Sequence, residues 1–243
     1  MDRNAEAFNQ DVVKNNGYLY TTNARLSSRL ANGRLTKSAL EVADFNGKKV
    51  LDIGCGDGTY TIELFEAAQP ISIEGIDAAQ EAIDVAKEKN ANRRINFTVA
   101  SAYELPYENQ SFDIVQLRGV LHHLDRPIEA LKEALRVADT LIIIEPNGYS
   151  PVLKLIERFS PYHIEHKEKS YAPRNLDRWV KSLGAVLVKH QWVGLVPCFC
   201  PDWMAQILKK IEPVFESVPL VNSISCAVYV LVAQRKKVKG FSS

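Results

Sequence analysis

The stretch KKVLDIGCGDGTY, residues 48–60, decides the fold. It opens with a short apolar run, which is typical of a strand buried on both faces of a parallel sheet. Glycines follow at positions 54, 56 and 58. Glycine lets the backbone turn sharply with positive φ and leaves no Cβ between the chain and a ligand. Because ligands of open α/β sheets bind at the carboxyl ends of strands, this turn predicts a binding site.

The pattern continues outward from this turn. Apolar runs predict further strands at 72–77, 95–101, 112–118 and 140–146, and helical periodicity predicts helices at 78–90 and 127–138. Such alternation implies an α/β fold with a doubly wound, mainly parallel sheet. Two or three helices are expected within residues 4–45, and a helical piece is expected at 152–159. A helix at 172–184 and strands at 185–193 and 226–234 complete the prediction, with an excursion rich in proline and aromatic residues before the last strand.

We expect one domain with attached cover elements. Residues 1–45 form an N-terminal helical arm, 46–146 form the ligand-binding core, and 147–243 supply late strands with substrate-cover insertions. No internal repeat or linker interrupts the sequence.

Composition excludes several classes of protein. The 243 residues contain 30 Lys plus Arg and 29 Asp plus Glu, so the formal charge is +1 and no global field attracts a nucleic acid backbone. The N-terminus lacks the pattern of a signal peptide, and the longest apolar runs fall short of the roughly 18–20 residues that cross a bilayer. The four cysteines are too scattered for a disulfide framework. These features predict a cytoplasmic protein without stable membrane insertion that acts on a small, weakly charged molecule.

Three consecutive strand ends carry the chemistry. The third glycine of the turn follows the second by two residues, whereas the dinucleotide fingerprint requires three. Asp57 also places negative charge where a pyrophosphate would sit. Asp77 ends the next strand, where a carboxylate can accept hydrogen bonds from both hydroxyls of a ribose. With Ser101 and Ala102 at the end of the third strand, the pattern predicts an adenosine site.

The segments VLDIGCGDG, IEGID, ASAYELPYENQSFDIV and LRGVLHHLDRPIEALKEALRV, in this order, resemble the class I S-adenosylmethionine-dependent methyltransferases. The similarity is greatest to the small-molecule branch called type 11, and it spans about residues 48–146. It implies a Rossmann-like, seven-stranded sheet whose last strand is antiparallel, with residues 226–234 inserted beside an earlier strand. It also implies S-adenosylmethionine as cofactor and S-adenosylhomocysteine as product.

The resemblance implies roles for individual residues. Gly54 and Gly56 would pass beneath the methionine part of the cofactor, Asp52 would lie near its amino group, and Asp77 would bind the ribose hydroxyls. Asp52 has an alternative role as a hydrogen-bonded support of its own loop.

Further positions complete the implied cofactor site. The family often has Asp at the position of Ser101, whose hydroxyl can still accept a hydrogen bond from the adenine amino group. Ala102 would lie beside the adenine, Arg118 would contact the amino-acid end, and Tyr20 would close over the cofactor from the N-terminal arm.

Methyl transfer to oxygen is the expected reaction, by in-line displacement on a small, partly apolar acceptor. His123 is the first candidate for a general base and His166 the second, while His122 is equally compatible with a structural role. No metal is expected, because Cys198 and Cys200 lack a second ligand pair. The alternatives are a non-catalytic cofactor-binding module, an NAD-type oxidoreductase and an RNA methyltransferase.

Overall fold

The computed structural model describes residues 12, 17–91, 94–159 and 169–236. Its strands are β1 (Lys49–Ile53), β2 (Ser72–Asp77), β3 (Ile95–Val99), β4 (Phe112–Arg118), β5 (Ala138–Pro146), β6 (Ala185–Val193) and β7 (Val228–Arg235). Its helices are α1 (Leu19–Thr22), α2 (Leu26–Val42), α3 (Thr59–Ala68), α4 (Gln80–Lys89), α5 (Pro127–Val137), α6 (Pro151–Phe159), α7 (Pro173–Ser182), α8 (Asp202–Ser217) and α9 (Val221–Ser225). A 3₁₀ turn spans Leu121–His123.

The strands form one seven-stranded sheet in the order β3-β2-β1-β4-β5-β7-β6. All neighbouring pairs among β1 to β5 are parallel. Strand β7 is antiparallel to both β5 and β6. The predicted Rossmann-like sheet with a late antiparallel strand is therefore confirmed. Because β7 lies between β5 and β6, these two strands, β6 and β7, which follow residue 147, share the sheet of the core.

The central strand is buried on both faces, as its apolar run predicted. Val50 packs in one core cluster, while Leu51 and Ile53 pack in the other. This division follows from the alternation of side chains along a strand. Helices on both faces cover the sheet, so the polar loops at the carboxyl ends of the strands remain as the open edge.

The cover region contains two helices that the sequence did not predict, α8 and the short α9. The excursion before the last strand contains α8, a helix of 16 residues. Pro213 lies inside it and several apolar side chains face outward, so the sequence lacks a clean helical signal. The helix is held by its inward-facing acids. Glu216 pairs with Arg34 of α2 through Oε2 and Nη2 at 2.7 Å, and Glu212 accepts from the Leu195 amide at 3.0 Å.

Candidate active site

A cavity of about 1680 Å³ runs along the open edge of the sheet. The loops that follow β1, β2, β3, β4 and β5 line it, together with parts of the N-terminal arm, α6, α8 and the segment 194–199. Single-ligand pockets usually occupy roughly 300–1,000 Å³, so this cavity has room for two molecules side by side. The sheet order places the end of β4 between the ends of β1 and β5.

The glycine turn after β1 has the left-handed geometry that its sequence predicted. Gly54 has φ of +73°, and its amide donates to the Ile76 carbonyl at 2.7 Å. A Cβ at Gly54 would lie 2.3 Å from Cγ2 of Val120, so the turn packs directly against the loop after β4. Gly54 and Gly56 both line the cavity.

Asp77 lies at the end of β2 and lines the same cavity. Its two oxygens accept hydrogen bonds from the amides of Gly56 and Ala79 at 3.0 and 2.9 Å. Burial raises the pKa of this carboxyl group, and the backbone hydrogen bonds partly oppose that rise. A carboxylate has about four lone-pair positions, so a carboxylate fixed by two amides can still accept from a diol.

The loop after β3 supplies the third wall. Ser101 and Ala102 line the cavity beside Val99 and Ala100. The Ser101 hydroxyl accepts from the amide of Tyr103 at 3.2 Å, which fixes the turn. These four residues form an apolar wall with one hydroxyl, which suits a flat, hydrogen-bonding ring such as adenine.

Asp52 is placed differently from the other motif residues, because it is buried beneath the turn and does not line the cavity. Its carboxylate accepts from the Thr61 hydroxyl at 2.6 Å and from the Gln116 amide at 3.5 Å. Burial raises the pKa of Asp52 to about 6, against the opposing effects of Thr61 and Arg118. These contacts support its alternative role as a support of the loop.

Arg118 lines the cavity, but its donors are directed to α2. The guanidinium donates to the Thr36 hydroxyl at 2.9 Å and to the Asn32 carbonyl at 3.0 Å, and its carbon lies 3.8 Å from the Tyr60 ring centre. Burial lowers the pKa of Arg118. The residue therefore joins α2 to the sheet edge and contributes positive charge to the wall of the cavity.

Asp57 connects the glycine turn to the N-terminal arm. Its side chain is only 1% exposed and accepts from the Lys89 ammonium at 2.8 Å, the Thr21 hydroxyl at 2.5 Å and the Tyr18 amide at 3.3 Å. Burial alone would raise the pKa of Asp57, but the hydrogen bonds from Lys89, Thr21 and Thr59 lower it. Lys89 thus balances the charge of Asp57. Because the negative charge is balanced, the glycine spacing is a stronger argument against a pyrophosphate ligand than Asp57 is.

The segment GYLYTTN offers Tyr18 as well as Tyr20 for closing over the cofactor, and Tyr18 lines the cavity. A Cβ at Gly56 would lie 2.6 Å from Cε2 of Tyr18, so the ring packs on the second glycine of the turn. An aromatic residue near the N-terminus gives no signal of this contact, because it depends on Asp57 fixing the arm. The side chain of the predicted Tyr20 lies outside the described part of the chain.

The loop after β4 presents a histidine held by a buried acid. His122 Nδ1 lies 2.7 Å from Oε2 of Glu145, which is 1% exposed. The other oxygen of Glu145 accepts from the amides of Val120 and Leu121, each at 2.8 Å. Because the carboxylate accepts hydrogen bonds, Nδ1 carries the hydrogen and the basic lone pair of the ring lies on Nε2.

The predicted first base, His123, lies beside this pair. The ring centres of His122 and His123 are 3.8 Å apart, and both side chains line the cavity. His166 falls outside the described residues. Among the residues that the structure describes, no group of three His, Cys, Asp or Glu side chains is arranged to hold a metal ion. No helix in the same ranges is long and apolar enough to span a membrane.

Comparison with known proteins agrees with this geometry. Residues 51–140, from β1 to the start of β5, match the model of a family described as "Methyltransferase domain". The match lies in the part of the chain that resembles the class I S-adenosylmethionine-dependent methyltransferases. The matched segment includes the glycine turn, Asp77, Ser101 and the loop that carries His122.

Curated relatives match a part of the chain. An uncharacterized methyltransferase of Schizosaccharomyces pombe is 34% identical over 110 residues, which cover 42% of this chain and 37% of that protein. A demethylmenaquinone methyltransferase of Staphylococcus aureus is 39% identical over 93 residues, which cover 37% of this chain and 39% of that protein. The alignments therefore span well under half the length of these relatives.

A solved structure resembles this chain over nearly its whole length. The S-adenosylmethionine-dependent methyltransferase of Thermotoga maritima, described as a possible histamine N-methyltransferase, covers 95% of this chain and 99% of its own. The TM-score is 0.71 at 18% identity, so this likeness concerns the fold. Because the likeness covers 95% of this chain, the shared fold includes most of the cover region.

Proposed function

We propose that the protein transfers a methyl group from S-adenosylmethionine to an oxygen atom of a small, partly apolar acceptor. The observation that carries the proposal is the joining of three features in one cavity wall: the glycine turn, the Asp77 carboxylate and the Ser101 loop. The chemistry of these groups fits the amino-acid, ribose and adenine parts of the cofactor respectively. When bound, the cofactor supplies a methyl group that is already activated on a sulfonium.

The protein's own part in this proposal is to hold and align. Asp77 accepts from the ribose hydroxyls, the backbone at Gly54 and Gly56 passes under the methionine part, and Ser101 and Ala102 flank the adenine. Asp52 supports the turn from beneath, and Arg118 contributes positive charge at the amino-acid end. The N-terminal arm, fixed through Asp57 and carrying Tyr20, covers this part of the cavity. Such alignment with exclusion of water accounts for most of the catalysis in an in-line displacement.

The acceptor occupies the other part of the cavity. Its walls there include Val152, Leu153 and Ile156 of α6, Leu208 of α8 and the segment 194–199. This apolar lining favours a partly apolar small molecule. A relative named for demethylmenaquinone is consistent with an acceptor of that kind.

A hydroxyl nucleophile must lose its proton, and we assign this step to His122. Glu145 holds the ring through Nδ1, so Nε2 is the atom that takes the proton. The end of β4 lies between the two parts of the cavity in the sheet order, where an acceptor and the cofactor would meet. His123 shares the cavity but is not the histidine that Glu145 holds, so we favour His122 as the base.

Calorimetric titration with S-adenosylhomocysteine tests the cofactor part of the proposal. The wild type should bind, and Asp77→Ala should bind at least about tenfold more weakly, because hydrogen bonds to a charged group contribute about 1.5–3 kcal/mol each. Glu74→Ala is the matched control, since Glu74 lies on the same strand and bonds Asn96. No binding by the folded wild type, or equal affinity in Asp77→Ala, would overturn the proposal. Binding without turnover of any hydroxylated acceptor would favour the non-catalytic module.

A further inference from the structure

Large apolar side chains are exposed on three helices of the cover region. They are Val152, Leu155 and Phe159 of α6, Trp203, Ile207, Ile211 and Val214 of α8, and Val221 and Ile224 of α9. Helix α9 contacts both α6 and α8. The exposed residues therefore lie on adjoining elements, and we call them the apolar face. Soluble monomers rarely expose contiguous apolar patches of this kind unless they bind a partner or a membrane.

The face is organised along α8. Trp203, Ile207 and Val214 are spaced by four and seven residues, so they lie on one side of the helix. Trp203 is 65% exposed and Val214 is 62% exposed. The opposite side is buried, with Ala205 and Glu212 inside the protein. The helix thus turns an acid inward and apolar side chains outward, which is the reverse of an ordinary surface helix.

The exposed charges on the same helices are mostly basic. The exposed charged side chains of α6, α8 and α9 are Lys154, Arg158, Lys210 and Asp202. The remaining acids are turned inward, where Glu157 accepts from Ser170 and Glu216 pairs with Arg34. Lys210 also lies on the same side of α8 as Trp203 and Val214 by helical spacing. The face therefore combines apolar side chains with exposed positive charge, although the whole chain is nearly neutral.

The apolar face continues into the cavity. Val152 belongs to both, because it is exposed and also lines the cavity. Phe199, just before α8, likewise lines the cavity and is 59% exposed. Val152 and Phe199 therefore give the cavity an apolar border with this face.

We infer that the apolar face docks on an anionic lipid surface and that the cavity opens toward it. Amphipathic helices with aromatic and aliphatic side chains beside Lys or Arg bind in the plane of a bilayer interface, and acidic lipids add attraction for each basic residue. A bilayer is also where a partly apolar acceptor would dissolve. Only this last link rests on the proposed function, because docking itself requires no methyl transfer.

Trp203 provides a direct probe of docking. The other tryptophans are partly buried against the core, with Trp179 against Tyr171 and Trp192 against Tyr229. Vesicles of brominated phosphatidylcholine with phosphatidylglycerol should therefore quench the fluorescence of Trp203, and Trp203→Phe should abolish the change. Vesicles without phosphatidylglycerol should bind more weakly.

Matched variants test which side chains are responsible. Lys210→Gln should weaken binding to these vesicles about fivefold, since one basic residue near an anionic surface contributes about 1 kcal/mol. The double variant Ile207→Ser with Val214→Ser should bind less still, while Val188→Ser, an exposed valine on β6, should bind as the wild type does. Circular dichroism and S-adenosylhomocysteine binding, unchanged in each variant, confirm that the fold is intact.

Several results would overturn the inference. Absence of quenching with phosphatidylglycerol vesicles would do so, as would equal losses in the Ile207/Val214 and Val188 variants. A stable dimer in sedimentation that dissociates on Val214→Ser would show that a second copy covers the face instead. Each of these results leaves cofactor binding untouched, so failure of docking and failure of the proposed function are distinguishable.

Discussion

The cofactor part of the molecule, residues 46–146, and the described residues of the cover part, within 147–236, both bury acidic side chains, but they differ in the large apolar side chains that they expose. In the cofactor part, carboxylates such as Asp52 and Asp57 are buried and hydrogen-bonded, and the apolar side chains fill the core. In the cover part, Trp203 and Val214 are exposed while Glu212 is buried. A site for a fixed polar ligand requires polar atoms held in advance by many bonds. An opening through which an apolar acceptor enters requires apolar surface. This surface is buried only when another molecule binds to it.

The largest expected effect lies where the two parts meet, at His122. Removing a positioned general base usually lowers turnover by about 10²–10⁴-fold, and we expect a loss of that size for His122→Asn. Affinity for S-adenosylhomocysteine should stay within a few-fold of wild type, since the ring acts on the acceptor. Steady-state turnover with a hydroxylated acceptor measures the loss.

His123→Asn is the neighbouring control and should retain most of the activity. Glu145→Gln should move the acid limb of the pH–rate profile to lower pH, because an imidazole without the nearby negative charge loses its proton more easily. A greater loss in His123→Asn than in His122→Asn would make His123 the base. An unmoved pH profile in Glu145→Gln would reduce Glu145 to a support of the loop amides.

A second prediction concerns the buried acid of the cofactor part, Asp52. Its pKa in the folded protein is about 6, above its ordinary value, so burial disfavours the charged form. Stability from this group is present at low pH and is lost as pH rises from about 4 to about 6. The loss is up to about 3 kcal/mol. Urea unfolding at pH 4 and pH 7 should therefore show that the free energy of unfolding of Asp52→Asn, relative to the wild type, is higher at pH 7 than at pH 4. Equal pH dependence in the two proteins would contradict the assignment.

Gly54→Ala should give a smaller but local effect. A left-handed conformation costs an alanine about 1–2 kcal/mol, and the new Cβ must also displace Val120. Gly47→Ala is the matched control, because Gly47 has φ of +69° and an added Cβ would have nothing within 4 Å. Both variants should lose unfolding free energy, and Gly54→Ala alone should bind S-adenosylhomocysteine more weakly. Equal affinity in the two variants would separate the turn from the cofactor site.

The smallest effect on stability is expected in the cover part. Val214→Ser should change the free energy of unfolding by less than about 0.5 kcal/mol, because the side chain is largely exposed. Thermal or urea unfolding measures this directly. A loss of more than about 1 kcal/mol would mean that the residue is buried in solution, and the contrast between the two parts would disappear.

The same contrast explains what the sequence could predict. Strand β1, the glycine turn and Asp77 follow from local patterns, because strands buried on both faces are uniformly apolar and a sharp turn requires glycine. The antiparallel insertion of the last strand beside an earlier one followed from the resemblance, whereas its place between β5 and β6 came from the structure. Helix α8 did not emerge, since its outward face is apolar and Pro213 interrupts its pattern.

Contacts between distant residues were also beyond local patterns. His122 and His123 are neighbours in the sequence, and only the fold brings Glu145, 23 positions later, to the first of them. In the same way, Asp57 reaches Lys89 and Thr21 from separate elements. A motif places such residues near the site, while their partners depend on the packing of the whole sheet.

A crystal structure of the protein with S-adenosylhomocysteine tests the central claim most directly. We predict both ribose hydroxyls within hydrogen-bond distance of the Asp77 carboxylate. The adenine should lie against the loop that carries Ser101 and Ala102, and the sulfur should be directed toward His122. A ligand bound elsewhere, or one whose ribose lies away from Asp77, would contradict the assignment of this cavity as the methyl-transfer site.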